Sequence, residues 1–437
     1  MTEFWRRVLT GNDWLGLALI GAFAHMCYIT LLLKGYFATD LSAFYAAGLA
    51  IANGTPDIMY DTVPTGLVIG TPERIQSLMA DAGLPIDQTP PYLYPPIWAY
   101  LLAPLTRVLS IHTFFDVMMG VQSFMLAMMP WIGYRIARPR ALKAPIWLLC
   151  GFFLLFVSTT NLTAVAQNQL QITVTFITML GLLALTRGKS KTAGVLIGVA
   201  AALKIAPAVF GLLLLIRRDW RALAAMAVTG LGLLAISLMF GGLPLHLTML
   251  ERLQDINAAT ILSRANLSPE MVLYELRRVV LSIPPNVTRM GTSAVFDAPA
   301  WIQILPKLCF LGALIWIVIV HLRHHTTVGL EALVLSLAVA LFGPLSWMHY
   351  FVLPLALTPV LFTVFTPRTS WRWVIAGGFL TSVTLTVRLS DLNQDVMWSP
   401  MPGTGYYLAL FVTLLIHAAV MPRCKTANGE ISAISAT

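Results

Sequence analysis

The sequence is short of charge. Of its 437 residues only 19 are Asp or Glu and 28 are Lys or Arg, so charged residues make up 11% of the chain. Hydrophobic residues make up 58%, the mean hydropathy is +0.78, and apolar runs of about 20 residues recur along the chain. This composition indicates an all-α polytopic membrane protein, because backbone polar groups in lipid find their partners only within helices.

Acidic residues are almost absent from the predicted membrane spans. Asp116 and Glu331 lie near span ends, and no acid is central. Ion-coupled transporters usually place carboxylates near the midplane of the membrane. The scarcity therefore weakens the interpretation as an ion-driven pump, but it does not exclude a flippase.

Cysteine is also scarce. Cys27, Cys150 and Cys309 fall in predicted spans and Cys424 in the C-terminal tail, so none is placed for a disulfide in an oxidising compartment. No CxxC or His/Cys spacing indicates a metal site, and we expect neither a metal nor a cofactor. The net charge of +9 is explained by membrane topology, so it predicts no nucleic-acid partner.

The basic residues predict the orientation. Clusters at 135–143, 187–191, 217–221, 368–372 and 423–425 should be cytoplasmic, together with the N-terminus. This predicts about 11 or 12 transmembrane helices, some of them short, the first being an uncleaved anchor. The predicted spans are 14–34, 112–137, 144–163, 169–186, the half-helices 192–203 and 206–216, then 220–240, 301–320, 327–343, 347–366, 372–387 and 405–421.

Two stretches must not cross the membrane fully if this orientation holds. The stretch 92–109 is proline-rich and suits an interfacial or re-entrant helix. The run 192–216 must form two half-helices that turn at Lys204, because a piece such as 192–203 reaches only about 18 Å. We therefore predict one integral-membrane domain, 1–421, with two large outer loops, 35–110 and 241–300, and a cytoplasmic tail, 422–437.

Asp40 is the first acid after the first predicted span. Its loop, 35–91, contains six acidic residues and one basic residue, Arg74. Two interpretations are open. The carboxylate caps the N-terminus of a helix over 41–52, or it takes a proton from a sugar hydroxyl at the membrane boundary. Taken alone, capping is the more common role.

Lys204 lies between the two apolar half-helices. A lysine there is costly and usually marks a site or a partner. Its side chain either snorkels to the interface or holds an anion, for which a phosphate at the membrane surface is the obvious candidate. The N-terminal dipole of the helix that begins near Ile205 would act on the same place.

Further polar groups are predicted on the same outer face. His349 is predicted at the outer end of a span, and an amide turn beginning Gln167-Asn168 joins spans 144–163 and 169–186. Arg264 and Asn266 lie in the second outer loop. Each has a structural alternative, either packing among aromatic rings or hydrogen bonding of an exposed turn. Neutral amides also suit sugar hydroxyls.

Several motifs follow one another between residues 30 and 355. They are Asp40-x-x-x-Phe44-Tyr45-x-Ala47-Gly48, Tyr94-Pro95-Pro96, Gln167-Asn168, Lys204-x-x-Pro207, Arg217-Arg218-x-Trp220 and Ser346-Trp347-x-His349. In this order they resemble glycosyltransferase family 87, the polyprenol-phosphate-mannose-dependent membrane enzymes of the GT-C fold. The chain departs from the family's pattern at Ala166, where glycine is common, and at Tyr350, where a second histidine is common.

The resemblance implies a metal-independent hexosyltransferase. It would move a sugar, often mannose, from a polyprenyl-phosphate donor to an acceptor hydroxyl at the outer leaflet, with Asp40 as general base. Lys204, with His349 or Arg264, is then expected at the donor phosphate. The residues expected at the sugar or acceptor are Tyr45, Tyr94, Gln167, Asn168 and Asn266.

The expected partners are the donor, a glycolipid, glycan or protein acceptor, and membrane lipids, without nucleic acid. The expected location is the inner (plasma) membrane of a bacterium, with both termini cytoplasmic and the active site on the outer face. Two alternatives stay open: a flippase or transporter of a lipid-linked sugar without transfer chemistry, and a non-catalytic membrane scaffold. Placement of Asp40 and Lys204 on opposite faces would exclude the mechanism.

Overall fold

The computed structural model describes residues 14–63, 70–283, 293–296, 298–324, 326–343, 345–392 and 398–420. Some residues used to predict the topology lie outside these ranges. They are Arg6 and Arg7 near the N-terminus and the tail 422–437 with Arg423, Cys424 and Lys425.

The described chain is predominantly helical. Its α-helices are α1 (Leu15–Leu32), α2 (Thr39–Ala52), α3 (Glu73–Asp81), α4 (Pro96–Thr106), α5 (Ile111–Ala137), α6 (Ala144–Val157), α7 (Thr159–Ala166), α8 (Gln171–Thr186), α9 (Ser190–Leu203), α10 (Gly211–Ile216), α11 (Trp220–Ala258), α12 (Pro269–Val280), α13 (Ala300–Arg323), α14 (Val328–Phe342), α15 (Val352–Ala356), α16 (Leu361–Val364), α17 (Pro367–Leu380), α18 (Val383–Leu392) and α19 (Met401–Val420). The 3₁₀ helices are Pro56–Tyr60, Ala206–Phe210, Met348–Phe351 and Thr358–Val360. Strands β1 (Thr260–Ser263) and β2 (Ser293–Phe296) form an antiparallel pair in 241–300, the predicted second outer loop.

Five of the described helices, α1, α5, α11, α13 and α19, are long and apolar enough to cross a membrane. Helices α7 and α8 meet the same criterion only as a pair, and they are bent by 118° relative to each other. Shorter apolar helices, among them α2, α4, α6, α9 and α14, complete the bundle. The predicted all-α polytopic membrane class is confirmed, although several of its helices are shorter than a full crossing.

The helix bounds differ from the predicted spans in four places. The span 144–163 is interrupted at Ser158, between α6 and α7. Short helices replace the span 347–366, because Pro354 and Pro359 have no N–H to donate to a continuous helix. The span 372–387 is interrupted between α17 and α18. The span 220–240 extends as α11 to Ala258.

The run 192–216 folds into the predicted hairpin at Lys204, whose backbone is extended (φ −152°) between α9 and the 3₁₀ turn that precedes α10. The direction of the two arms follows from their contacts with α11. A β-carbon built on Gly198 or on Gly211 would meet Met226 in both cases. These two glycines lie on either side of Lys204 in the sequence, yet both lie beside the same residue of α11, Met226. The chain must therefore reverse its direction between them.

Helix α11 is bent at a kink. Gly242 has φ 68°, a conformation that L side chains rarely adopt, and Pro244 follows two residues later. The ring of His246 stabilises the kink: Nδ1 lies 2.7 Å from the carbonyl oxygen of Gly242 and Nε2 2.9 Å from Ser237 Oγ. The C-terminal half of α11, 243–258, therefore leaves the axis of the N-terminal half. It is called the outer half below, after the predicted outer loop to which it belongs.

A buried ion pair anchors the end of the hairpin opposite to Lys204. Glu331, in the first turn of α14, accepts a hydrogen bond from Arg217 Nη2 at 2.8 Å, and His321 Nδ1 lies 2.7 Å from its other oxygen. Arg217 follows α10 and His321 lies in the last turn of α13. A buried carboxylate needs such partners, so this contact joins α10, α13 and α14.

Candidate functional site

A cavity of about 610 Å³ lies at the end of the bundle that holds Lys204. Eight parts of the chain build its wall: the start of α2, Gly70, the segment 87–95, the turn between α7 and α8, the hairpin turn, the outer half of α11, the pair Ser263 and Ala265, and the segment 345–350. The structure brings Asp40, Lys204 and His349 together here, as the topology predicted. Tyr94 and Gln167 also line the wall.

Asp40 lies in the first turn of α2, partly buried in the cavity wall. The helix begins at Thr39 with Ala38 at its N-cap and has no side-chain cap, so the interpretation of Asp40 as the N-cap is wrong. Its Oδ2 instead accepts a hydrogen bond from Gln169 Nε2 at 2.5 Å. Burial raises the pKa of Asp40 to about 6, although the Gln169 hydrogen bond and the positive charge of Lys204 act in the opposite direction.

Lys204 points its ammonium into the protein. The Nζ donates a hydrogen bond to Gln171 Oε1 at 2.9 Å and lies 3.9 Å from the centroid of the Tyr350 ring. The Tyr94 ring is 5.9 Å away. Within the part of the chain that the structure describes, no carboxylate forms an ion pair with it. The snorkelling interpretation does not fit this placement.

The amide turn is held by Asn168. Its φ of 51° is left-handed, a region that asparagine tolerates better than most residues. The buried side chain donates from Nδ2 to the carbonyl oxygen of Phe115 at 2.9 Å, and the backbone oxygen accepts from Gln122 Nε2 at 3.3 Å. Asn168 thus fixes the turn, while its neighbours Gln167 and Gln169 line the cavity.

Three predicted sugar or acceptor contacts lie behind the wall. Tyr45 donates its hydroxyl to the carbonyl oxygen of Leu109 at 2.9 Å. Asn266 donates to the carbonyl oxygen of Ile261 at 2.7 Å and so holds the second outer loop. Together with Asn168 these residues support the fold around the cavity, and the structure does not bring them to its wall.

Arg264 is likewise not part of the wall, although its neighbours Ser263 and Ala265 are. His349 does line the cavity, with its ring 4.8 Å from that of Tyr350 between centroids. Tyr94 also lines it, and its hydroxyl donates to Gln169 Oε1 at 3.4 Å. Of the predicted phosphate contacts, Lys204 and His349 therefore face the cavity.

Three residues at the centre of the site were not predicted as site residues: Gln169 at Asp40, and Gln171 and Tyr350 at Lys204. Gln169 is the third amide of the run Gln167-Asn168-Gln169, and this run was the sequence signal that could have identified it as a site residue. Gln171 and Tyr350 had weaker signals, because their contacts with Lys204 join segments far apart in the chain.

These features define a polytopic membrane protein with a cavity at one end of its bundle, into which a few polar side chains converge. The model of glycosyltransferase family 87 matches residues 92–348, more than half of the chain, and the chain therefore belongs to this family. The protein is accordingly a membrane glycosyltransferase. The matched range includes Gln169 and Lys204, whereas Asp40 lies before it and His349 directly after it.

A curated relative from Mycolicibacterium smegmatis is 29% identical over 244 residues. It is a polyprenol-phosphate-mannose-dependent alpha-(1-2)-phosphatidylinositol mannoside mannosyltransferase. The match covers 52% of this chain and 51% of the relative, so the chain spans about half the length of that protein.

Proposed function

We propose that this protein transfers a hexosyl residue, with mannose as the leading candidate, from a polyprenyl-phosphate donor to an acceptor hydroxyl at the outer face of the membrane. The observation that carries the proposal is the placement of Asp40 and Lys204 on one cavity of about 610 Å³. Ligand cavities typically measure about 300–1,000 Å³, so this one has room for a phosphosugar and an acceptor sugar. The donor used by the M. smegmatis relative supports the choice of lipid-linked mannose.

Asp40 is the proposed general base. As the acceptor oxygen attacks the anomeric carbon, its proton passes to the ionised carboxylate and the bond from that carbon to the phosphate oxygen breaks. Gln169 holds Oδ2 and so orients the carboxylate. Attack on the face opposite the phosphate inverts the anomeric configuration, so a β-linked donor yields an α-linked product.

Lys204 is the proposed phosphate contact. The donor is a phosphodiester with one negative charge, and a second charge develops on the phosphate oxygen that leaves. A fixed ammonium stabilises this charge most where it develops, in the transition state. His349 lines the same wall and is the proposed second contact. A role for Arg264 requires its side chain to turn into the cavity.

The orientation of the basic residues supports an outer-face site. Lys189 and Lys191 flank the start of α9, whereas Lys204 follows its end, a separation of about 20 Å along the helix. The cluster 217–221 lies at the same far end as Lys189. If these clusters are cytoplasmic, the cavity faces outward. We accordingly propose a bacterial plasma-membrane protein, one membrane domain over 1–421, and cytoplasmic termini.

The apolar part of the wall suits lipid-linked substrates. Met249, Leu253 and Ile256 follow at helical spacing on the outer half of α11 and face the cavity. A smaller cavity of about 80 Å³ adjoins it at Lys204 and is lined by both apolar and hydroxyl-bearing side chains of α8, α14 and the hairpin. We propose that the donor's polyprenyl chain leaves along these surfaces and that the acceptor is a glycolipid.

The test is a transfer assay with purified protein in proteoliposomes. The donor is polyprenyl-phosphate mannose labelled in the sugar, offered with a mannosylated phosphatidylinositol, a free oligosaccharide or a peptide. We expect label in the glycolipid and release of polyprenyl phosphate, with the same rate in the presence of EDTA. Label that crosses the bilayer but stays in intact donor would instead identify a flippase.

Transfer should depend on pH through Asp40. Because the ionised form is the base and burial raises its pKa to about 6, log(kcat/KM) should fall by about one unit per pH unit below 6. A phosphodiester has no second ionisation, so the donor charge stays constant. Initial rates from about pH 4.5 to 8.5 measure this. An inflection at the ordinary carboxyl value of 3.8 would contradict the assignment.

A further inference from the structure

The ammonium of Lys204 is held without being neutralised. Its closest contacts are the Gln171 amide oxygen and the face of the Tyr350 ring, 3.9 Å from the centroid. Both contacts are neutral, and among the described residues no carboxylate pairs with it. An aromatic face attracts a cation through its quadrupole and leaves the net charge in place. An anion in the cavity would therefore meet no competing carboxylate of the described chain at the ammonium.

The turn that carries the Tyr350 ring is itself held in place. It belongs to the 3₁₀ turn Met348–Phe351, in which the Met348 N–H donates to the carbonyl oxygen of Ala265 at 2.8 Å. The ring of Phe351 stacks on Tyr407 at 4.2 Å between centroids. The second outer loop and α19 thus hold the turn that carries Tyr350 from both sides.

The alternative partner for the ammonium is Asp40. The two side chains line one cavity, and the charge of Lys204 acts on Asp40 without a direct ion pair between them. The lysine side chain has four rotatable bonds, so an unrestrained ammonium would move toward the carboxylate. A direct ion pair would neutralise Lys204, the proposed phosphate contact, and would also engage Asp40, the proposed base.

We propose that Tyr350 is a positioning residue that holds Lys204 by the face of its ring, apart from Asp40, so that the ammonium meets the lipid phosphate without a carboxylate partner. This inference rests on the proposed function, because it assigns Lys204 to a lipid phosphate. The tyrosine hydroxyl has no part in it. The ring is the required feature, so phenylalanine at position 350 should preserve the function of tyrosine, whereas leucine should not.

The test is binding of farnesyl phosphate, with uncharged farnesol as reference, to purified protein by calorimetry. Tyr350→Leu should bind farnesyl phosphate about tenfold more weakly and farnesol unchanged, whereas Tyr350→Phe should match the wild type. Pentafluorophenylalanine at position 350 keeps the ring shape but removes its negative face, and it should behave as leucine. Tyr36→Leu, at a half-exposed tyrosine outside the cavity wall, is the matched control and should have no effect.

A second measurement follows the pKa of Asp40 through the pH dependence of transfer. In Tyr350→Leu the ammonium should approach Asp40, which lowers the pKa of that carboxyl and moves the inflection of kcat/KM below pH 6. Equal losses of farnesol and farnesyl phosphate binding, or a pentafluorophenylalanine variant that binds as wild type, would overturn the inference. Binding does not require transfer, so an inactive protein that shows the predicted binding pattern would refute the proposed function alone.

Discussion

Asp40→Asn should lower kcat for sugar transfer by about 10³-fold while leaving KM for the lipid donor nearly unchanged. Asparagine has the shape of aspartate and can still accept the hydrogen bond from Gln169, but it cannot take a proton from the acceptor. The loss should therefore appear in the chemical step alone. Single-turnover transfer from labelled donor, with donor binding measured separately, resolves the two effects.

The matched control is Asp57→Asn. Asp57 lies in the same outer loop, but its carboxylate is exposed and paired with Arg74 at 2.5 Å, so this variant should transfer within about twofold of wild type. Thermal unfolding separates lost chemistry from lost folding. The pKa of Asp40 is raised from 3.8 to about 6, so the ionised carboxylate destabilises the fold increasingly from pH 3.8 to 6 and fully above 6. Asp40→Asn should thus unfold at the same or a higher temperature at pH 7.5, and full residual transfer would exclude Asp40 as the base.

The hairpin at Lys204 could be predicted because the physical reason is local. A lysine in the middle of an apolar run is costly in lipid, and the bias of basic residues requires an even number of crossings there. The same reasoning brought Asp40 and His349 to the face of Lys204. Topology alone therefore predicted which ends of the helices meet at the cavity.

The outer half of α11 could not be predicted in the same way. Gly241-Gly242-Leu243-Pro244 is typical of a helix end, yet the helix resumes after a single left-handed residue, Gly242. His246 stabilises the resumed helix through contacts with Gly242 and Ser237, which only the folded kink brings together. The residues 243–258, part of which lines the cavity, were consequently predicted to lie in a loop.

Side-chain partners were the least predictable feature. Gln169 and Asp40 are 129 residues apart, one in the turn between α7 and α8 and the other in α2, so no periodicity indicates their contact. Asn168 was predicted as a sugar contact because it is an amide in a turn. Its left-handed backbone and its bond to Phe115 give it a structural role instead, which depends on the bend between α7 and α8.

Lys204→Met should lower kcat/KM for the donor by about 10²- to 10³-fold. Methionine fills nearly the same space without the charge, so the loss reports the electrostatic stabilisation of the leaving phosphate. Lys204→Arg keeps the charge and should recover part of the rate. Lys191→Met is the matched control, because it removes an exposed lysine at the opposite end of α9 and should leave transfer unchanged. Steady-state transfer over a range of donor concentrations measures all three.

The same substitution should change the pH dependence in a direction that a folding defect would not produce. The positive charge of Lys204 lowers the pKa of Asp40 against the effect of burial. Its removal should therefore move the inflection of the pH profile above 6, toward neutral pH, whereas Lys204→Arg should leave it near 6. A Lys204→Met variant with wild-type rates and an unshifted inflection would show that Lys204 acts on neither the donor phosphate nor Asp40. A lower rate with the upward shift would show that one ammonium acts on both.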